Sequence, residues 1–460
     1  MADGGGNDKP GKKQEVRNLK KSIALLIGFL FILGFAATAF AIHAEIPSDT
    51  TAIVAGGTTN ITLSGDLRVR GWFKDNLTQA GVPTKNANDA YYDERVRLAV
   101  DAASGPVSGR LHLESNTGNN DGWVWGQSSI AGVTTPGGSL DGKPTTMGIL
   151  EAWINYAGSG LLGVPSGIKV GHMPLALGPA PLFFDNRKFG DDALVVYANP
   201  TPNTHATLLT IKASEESTIK SSDNYDLDAY VGVFNGEFAG QELGIDYTYL
   251  NEPSATYSLQ DVGFFGKGNI SGVGYTAEAD FQFGKESPTV DASGYGIWLG
   301  LGYKLEPVNI RALFAYGSGN NGSDASKDKG FNTILSSDRR YTLVYEYTMA
   351  TAAGAEHTGI SNTQVYNIGV DVTPLTALKL SLDGYILRAN ELTAAQNAAG
   401  MNKNLGTEVD FNATYQLTKN LTYFFNAGVL SEGDFYKKNP LYATGDTTPA
   451  VVMHGLEYAF

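Results

Sequence analysis

Two segments carry arginines one residue apart, Leu67-Arg-Val-Arg70 and Glu94-Arg-Val-Arg97. Carboxylates alternate in the same way at Asp226 and Asp228, at Glu278 and Asp280, and at Glu408 and Asp410. A spacing of two puts such charges on one face of an extended chain. Charges ranked along a face can hold a field, neutralise one another or grip a polar solute. The residues that covalent or metal chemistry needs are not grouped. His43, His112, His172, His205, His357 and His454 are scattered without ligand spacing, and with no Cys in the chain no zinc signature can be written. There is no Gly-x-Ser-x-Gly, no Walker loop and no dinucleotide fingerprint on a strand-turn-helix. Ser115 lies near His112, but three residues along a strand point the two to opposite faces. The sequence therefore predicts no enzyme, no cofactor and no metal.

The elements that must position these charges are strands. In 60–73, odd positions hold Ile61, Leu63, Leu67, Val69 and Phe73, while even positions hold Thr62, Ser64, Asp66, Arg68 and Arg70. A period of two is a strand with one apolar and one wet face. Comparable segments recur at 91–102, 107–115, 148–157, 166–173, 191–198, 204–213, 225–234, 241–250, 257–265, 271–284, 292–303, 308–317, 363–372, 377–387, 404–416, 420–430 and 450–460. With the first, these number eighteen; sixteen is the alternative count. An even number of alternating strands with aromatic apolar faces predicts an all-β fold, a transmembrane up-and-down antiparallel β-barrel. Short connections alternate with long ones at 116–147, 174–190, 318–362, 388–403 and 431–449, as inner turns and external loops do. The segment 341–349 reads as strand-like, but a spanning strand there would break the parity, so it belongs to the large external loop.

Composition agrees. Mean hydropathy is −0.14, low for a helical membrane protein but normal for a barrel, in which only alternate strand residues must suit lipid. Net charge is −14 and pI about 4.9, which argues against a nucleic-acid partner needing a basic surface. Residues 1–21 are polar with five Lys or Arg between Lys12 and Lys21, and 22–41 are uncharged, ending Ala39-Phe40-Ala41. That pattern predicts a signal peptide over 1–41 with a long polar start, cleaved after Ala41 or Ala44. A periplasmic lead, 42–57, would follow, then the barrel, 58–460.

If the apolar faces meet lipid, the opposite parity lines a lumen. Arg68, Arg70, Arg95, Arg97, Arg110 and Lys169 would form a basic wall. Asp226, Asp228, Asp246, Glu278, Asp280, Asp371, Asp383, Glu408 and Asp410 would form an acidic one. The opposed walls either sort solutes by charge or neutralise their own neighbours. Arg388 has the lipid parity and is assigned to the outer rim. Eighteen strands enclose an aqueous bore that something must narrow. The candidates are 174–190, carrying Asp185, Arg187 and Lys188, and 116–147, carrying Trp123 and Trp125. Trp72, Trp153 and Phe424 are the aromatics with lumen parity suited to a sugar track. Gly300 and Gly302 are read as relieving wall packing.

The chain resembles the Gram-negative porins, and within them the eighteen-stranded family that includes alginate-export channels. The resemblance rests on the two Arg-x-Arg strands, Leu150-Glu-Ala-Trp-Ile154, and Ile168-Lys-Val-Gly171 followed by Gly178. The family usually has Arg where this chain has His172. The ending Gly455-Leu-Glu-Tyr458-Ala-Phe460 resembles the signal read by the barrel-assembly machinery. The resemblance implies the outer membrane of a Gram-negative bacterium, contact with its lipid, and an assembly that a homotrimer would suit. The expected function is a channel for passive diffusion of ions and small hydrophilic solutes, with a mild cation preference. The alternatives are an oligo- or polysaccharide channel of the alginate-export type, or a barrel sheathing an electron-transfer partner.

Overall fold

The computed structural model describes residues 59–78, 81–116, 123–124, 146–160, 163–214, 226–333, 341–355, 358–440 and 447–460. The predicted signal peptide, the lead 42–57 and nearly all of loop 116–147 lie outside the described residues.

Among the described residues eighteen long strands follow one another as an antiparallel meander. They are β1 (Asn60–Leu77), β2 (Pro83–Ser104), β3 (Val107–Asn116), β4 (Thr146–Gly158), β5 (Ser166–Met173) and β6 (Asp191–Thr201). Next come β7 (Thr204–Ser214), β8 (Leu227–Phe238), β9 (Gln241–Asn251), β10 (Ser258–Ile270), β11 (Val273–Ser287) and β12 (Tyr295–Leu305). The last are β13 (Val308–Gly317), β14 (Thr363–Leu375), β15 (Leu378–Ala389), β16 (Asn404–Thr418), β17 (Leu421–Glu432) and β18 (Ala450–Ala459). Three short pieces, Trp123–Val124, Val290–Ala292 and Lys327–Asp328, extend the sheet outside this series. Each long strand pairs with its predecessor, and β18 pairs with β1 from Ala459 opposite Asp66 to Ala450 opposite Asp75. The sheet thus closes on itself and has no long free edge, which satisfies backbone groups in a medium that offers no hydrogen bonds. The expected strand order and parity are all present.

At the seam the backbone of Phe460 exchanges both hydrogen bonds with Gly65, at 2.9 and 3.0 Å. The ring of Phe460 lies against Gly65, where a Cβ would approach within 2.8 Å of it. The Tyr458 and Phe460 rings are 5.8 Å apart, and Gly455 leaves room for Phe424.

Alternation sorts the faces as expected. On β15, Leu382 and Ile386 are more than half exposed on the outer surface, while Asp383, Tyr385 and Leu387 are buried inward. Leu67, Phe73, Ile154, Leu208, Phe264, Phe281 and Ile368 continue the outward apolar belt. In a protein dissolved in water, so much exposed apolar area would drive association; in a bilayer it meets acyl chains. Arg388 is exposed at the rim, next to the long loop that follows its strand. Among the described residues no helix is long and apolar enough to cross a membrane. Among the described residues two short helices, α1 (Ala394–Ala398) and α2 (Asp434–Lys437), lie in the connections after β15 and β17.

Candidate functional site: a lumen crossed by two infolded loops

Loop 174–190 enters the lumen as a hairpin. Leu177 N–H donates to the Phe184 carbonyl at 3.1 Å, and Asn186 N–H donates to the Leu175 carbonyl at 2.9 Å. Leu182, Phe183 and Phe184 are almost completely buried, so the tip is driven inward by apolar burial. It crosses to β11, where the Glu278 carboxylate accepts from Ala180 N–H at 2.8 Å and from Leu182 N–H at 2.9 Å. Gly178 makes this approach feasible. Its φ is +74°, and a Cβ there would sit 2.1 Å from the Glu278 carboxylate. His172 fixes the loop's return through Asp192 on one ring nitrogen and the Phe189 carbonyl on the other, both at 2.9 Å. Arg187 forks onto Asp185 at 2.8 and 2.7 Å, and Lys188 lies over the Phe189 ring.

The segment 341–350 also lies inside the barrel. It belongs to the long connection between β13 and β14 and is a run of turns rather than a strand. Leu343, Val344 and Tyr345 are fully buried. The carboxylate of Glu408 accepts from Val344 N–H at 2.6 Å and Tyr345 N–H at 2.9 Å, and Asp410 accepts from Leu343 N–H at 2.8 Å. Side chains then tie the segment along the wall. Tyr385 donates to the Tyr341 carbonyl, Tyr345 meets the Thr363 hydroxyl, and Tyr436 donates to the Ala350 carbonyl. Tyr347 stacks on Trp72 at 5.9 Å, and Trp72 stacks on Tyr91 at 6.0 Å. Sequence reasoning missed this second inward loop. Its anchors are wall carboxylates bonded to backbone N–H groups, a pairing that leaves no side-chain partner to read.

The predicted basic wall is neutralised strand by strand. Arg70 reaches Asp93 at 2.8 Å, Arg95 reaches Asp66 at 2.6 Å, Arg97 reaches Glu114 at 2.5 Å and Arg110 reaches Glu151 at 3.3 Å. Arg68 is buried beside Arg95 and Glu457 in the register. Lys169 Nζ sits 3.9 Å from the Trp153 ring centre. The acidic residues divide by partner. Asp226 and Asp228 share Lys212, and the Asp246 and Asp280 carboxylates converge over Gly263. Asp371 and Asp383 share Arg311, which reaches them at 3.0 and 2.9 Å. Gly369 permits that fork: it lies between the two strands' side chains, and a Cβ there would stand 2.1 Å from Asp383 Oδ1. Arg311 is a functional residue that sequence reasoning missed, though its parity with Asn309 and Leu313 points it inward.

Below the two loops, toward the short turns, a cavity of about 1190 Å³ remains. Pro179–Pro181, Asp185, Arg187 and Tyr341 border it, together with residues of β10 to β17. Trp298, Gly300 and Gly302 form one side. At Gly300 and Gly302 a Cβ would meet only ordinary contacts, beyond 3.4 Å. These glycines widen the chamber and relieve no packing, unlike the sequence expectation. Trp72 and Trp153 are taken up by the wall contacts above, and Phe424 lies against Gly455. Among the described residues Trp298 is therefore the tryptophan that borders the chamber.

The profile of the alginate export family matches residues 247–448. Among solved structures, Pseudomonas aeruginosa OpdL superposes with a TM-score of 0.55 at 11% identity, covering 87% of this chain and 98% of that one. Pseudomonas aeruginosa OccK2 (OpdF) gives 0.55 at 10% identity, covering 87% and 97%. Pseudomonas aeruginosa OccK5 (OpdH) gives 0.51 at 13%, covering 86% and 98%. No curated protein matches the sequence. The molecule is an eighteen-stranded antiparallel β-barrel with the fold of these proteins, and its residues 247–448 resemble the alginate export family.

Proposed function

We propose that this barrel is a channel, and not an enzyme, through which small hydrophilic solutes and ions cross the outer membrane of a Gram-negative bacterium by passive diffusion. The observation that carries this reading is the polar chamber left inside a closed barrel by two loops that fold in from one end. Infolded loops set a size limit, and the wall supplies hydrogen bonds and charges along the way. Ion pairing along β1 to β4 lowers the field that the arginines alone would exert, which supports weak rather than strong charge selection. The acidic balance of the chain favours a mild cation preference.

The alginate export match favours saccharide passage as a second reading. A sheath for a protein partner is disfavoured. The chamber of about 1190 Å³ is far too small for even a 100-residue domain, whose radius of gyration is about 13 Å. Single-channel recording of refolded protein in planar bilayers tests the proposal. Discrete conductance steps are expected, with larger steps when residues 176–185 are replaced by a short Gly-Ser turn. A wild-type protein that inserts without conducting, and a shortened variant that also fails to conduct, would refute it.

A further inference from the structure

The chamber beneath the loops has a lining chemistry of its own. Its charged groups are already engaged within the chain. Arg311 is held by Asp371 and Asp383, Arg187 by Asp185, Lys267 by Glu242 at 2.9 Å, and Asp410 by Leu343 N–H. Lys379 stands 3.8 Å from Asp371. An ionic solute would have to compete with these pairs, and breaking the deeper ones strands a half-buried charge. What remains is neutral hydrogen-bonding surface. Asn412, Asn426, Thr276 and Thr414 border the chamber, and the buried Oδ1 of Asn412 has no partner in the protein. Amide and hydroxyl groups both donate and accept, which suits a solute that presents many hydroxyls.

Beside this surface stands Trp298, with Tyr341 tilted across it at 6.3 Å. Next to Trp298 the strand carries Gly300 and Gly302, which leave the space in front of the indole open. An aromatic face next to an open glycine floor, ringed by amides and hydroxyls, accommodates a flat-sided polar ring: apolar C–H edges lie on the aromatic and hydroxyls reach the rim. A cavity of about 1190 Å³ is slightly above the usual range of about 300–1,000 Å³ for small-molecule clefts. It therefore has room for a short oligomer of such rings.

From these features we infer that the chamber between Trp298 and Asn412 binds a neutral saccharide of a few rings, and discriminates against acidic sugar chains of the same length. This inference rests on the channel reading and names the solute class for that same lumen. The resemblance to alginate-export channels would favour a polyuronate; the paired charges of this lining argue for the uncharged ligand.

The test uses maltotriose as the neutral probe and trigalacturonate as the acidic one. In planar bilayers, maltotriose is expected to block ion current saturably, with trigalacturonate at least about tenfold weaker, a difference of about 1.4 kcal/mol. Trp298→Ala should raise the half-blocking concentration by about tenfold. Gly302→Leu, which adds a side chain where a Cβ meets no close contact, should abolish block in a protein that still folds. In detergent, binding is read separately from the quenching of tryptophan emission by maltotriose, with Trp298→Phe as the reference. Ion conductance with only a linear, viscosity-like response to maltotriose would overturn the inference, as would tighter block by trigalacturonate. Maltotriose binding in detergent by a protein that never conducts would support the chamber and instead sink the channel reading.

Discussion

Removing the carboxylate of Glu408 should release the segment 341–350 from the wall. That carboxylate, fully buried, accepts two backbone hydrogen bonds, from Val344 and Tyr345. Its loss in Glu408→Ala leaves two buried N–H donors without acceptors, at about 1–3 kcal/mol each. Relief from burying the charge returns part of that. A net weakening of about 3 kcal/mol corresponds to roughly a hundredfold rise in the displaced population, since about 1.4 kcal/mol is a factor of ten. The protein has no Cys, so one introduced thiol reports cleanly. In Leu343→Cys the thiol sits at a fully buried position and should react slowly with a membrane-impermeant maleimide. Adding Glu408→Ala should accelerate labelling by roughly a hundredfold, and single-channel records should show new, larger conductance levels. Labelling rates within a factor of two, with unchanged conductance, would refute the idea that Glu408 holds the loop against the wall.

Other consequences can be measured directly. Arg95→Met leaves Asp66 without its 2.6 Å partner in a poorly hydrated wall and should cost about 3 kcal/mol. It should lower the unfolding temperature in detergent, and Arg95→Met with Asp66→Leu should recover most of the loss. Gly369→Ala should break the fork of Arg311 onto Asp383, destabilising the barrel by about 1–3 kcal/mol, as read by urea-gradient gel shifts. Tyr458→Ala with Phe460→Ala should lower the yield of the compact, heat-modifiable form on assembly, because both rings pack at the seam; an unchanged yield would count against that role. Reversal potentials across a salt gradient should lie close to zero with a small bias toward cations, and strong anion selectivity would contradict the pairing argument.

The barrel was legible because a bilayer and a watery bore impose opposite demands on alternate residues, and the chain answers them strand after strand. Leu382 and Ile386 against Asp383 and Tyr385 display the rule on one strand. The hairpin 174–190 was legible from its prolines and its Phe183-Phe184 tip. The role of the acids was not. Glu278, Glu408 and Asp410 read as carboxylates lining open water, yet each is almost wholly covered, holding loop backbone. A carboxylate's parity reports the face it occupies, and nothing in its type tells whether water or an N–H group will meet it there. The 341–350 segment was hard for the same reason: its strand-like pattern reflects burial against a wall rather than membership of one. Arg311 and Gly369 show a third limit, since their partnership joins β13 to β15 across β14, a relation no local window contains.

The join between β1 and β18 has a consequence for biogenesis. Its two halves lie almost four hundred residues apart, at Gly65 and Phe460. Until they meet, the polypeptide is a curled ribbon with two adhesive margins, each able to recruit the wrong neighbour. Closure is therefore a race between zipping shut and sticking to other chains. Substitutions that slow the meeting of these margins should appear first as aggregates in the periplasm, well before they alter what the finished pore lets through.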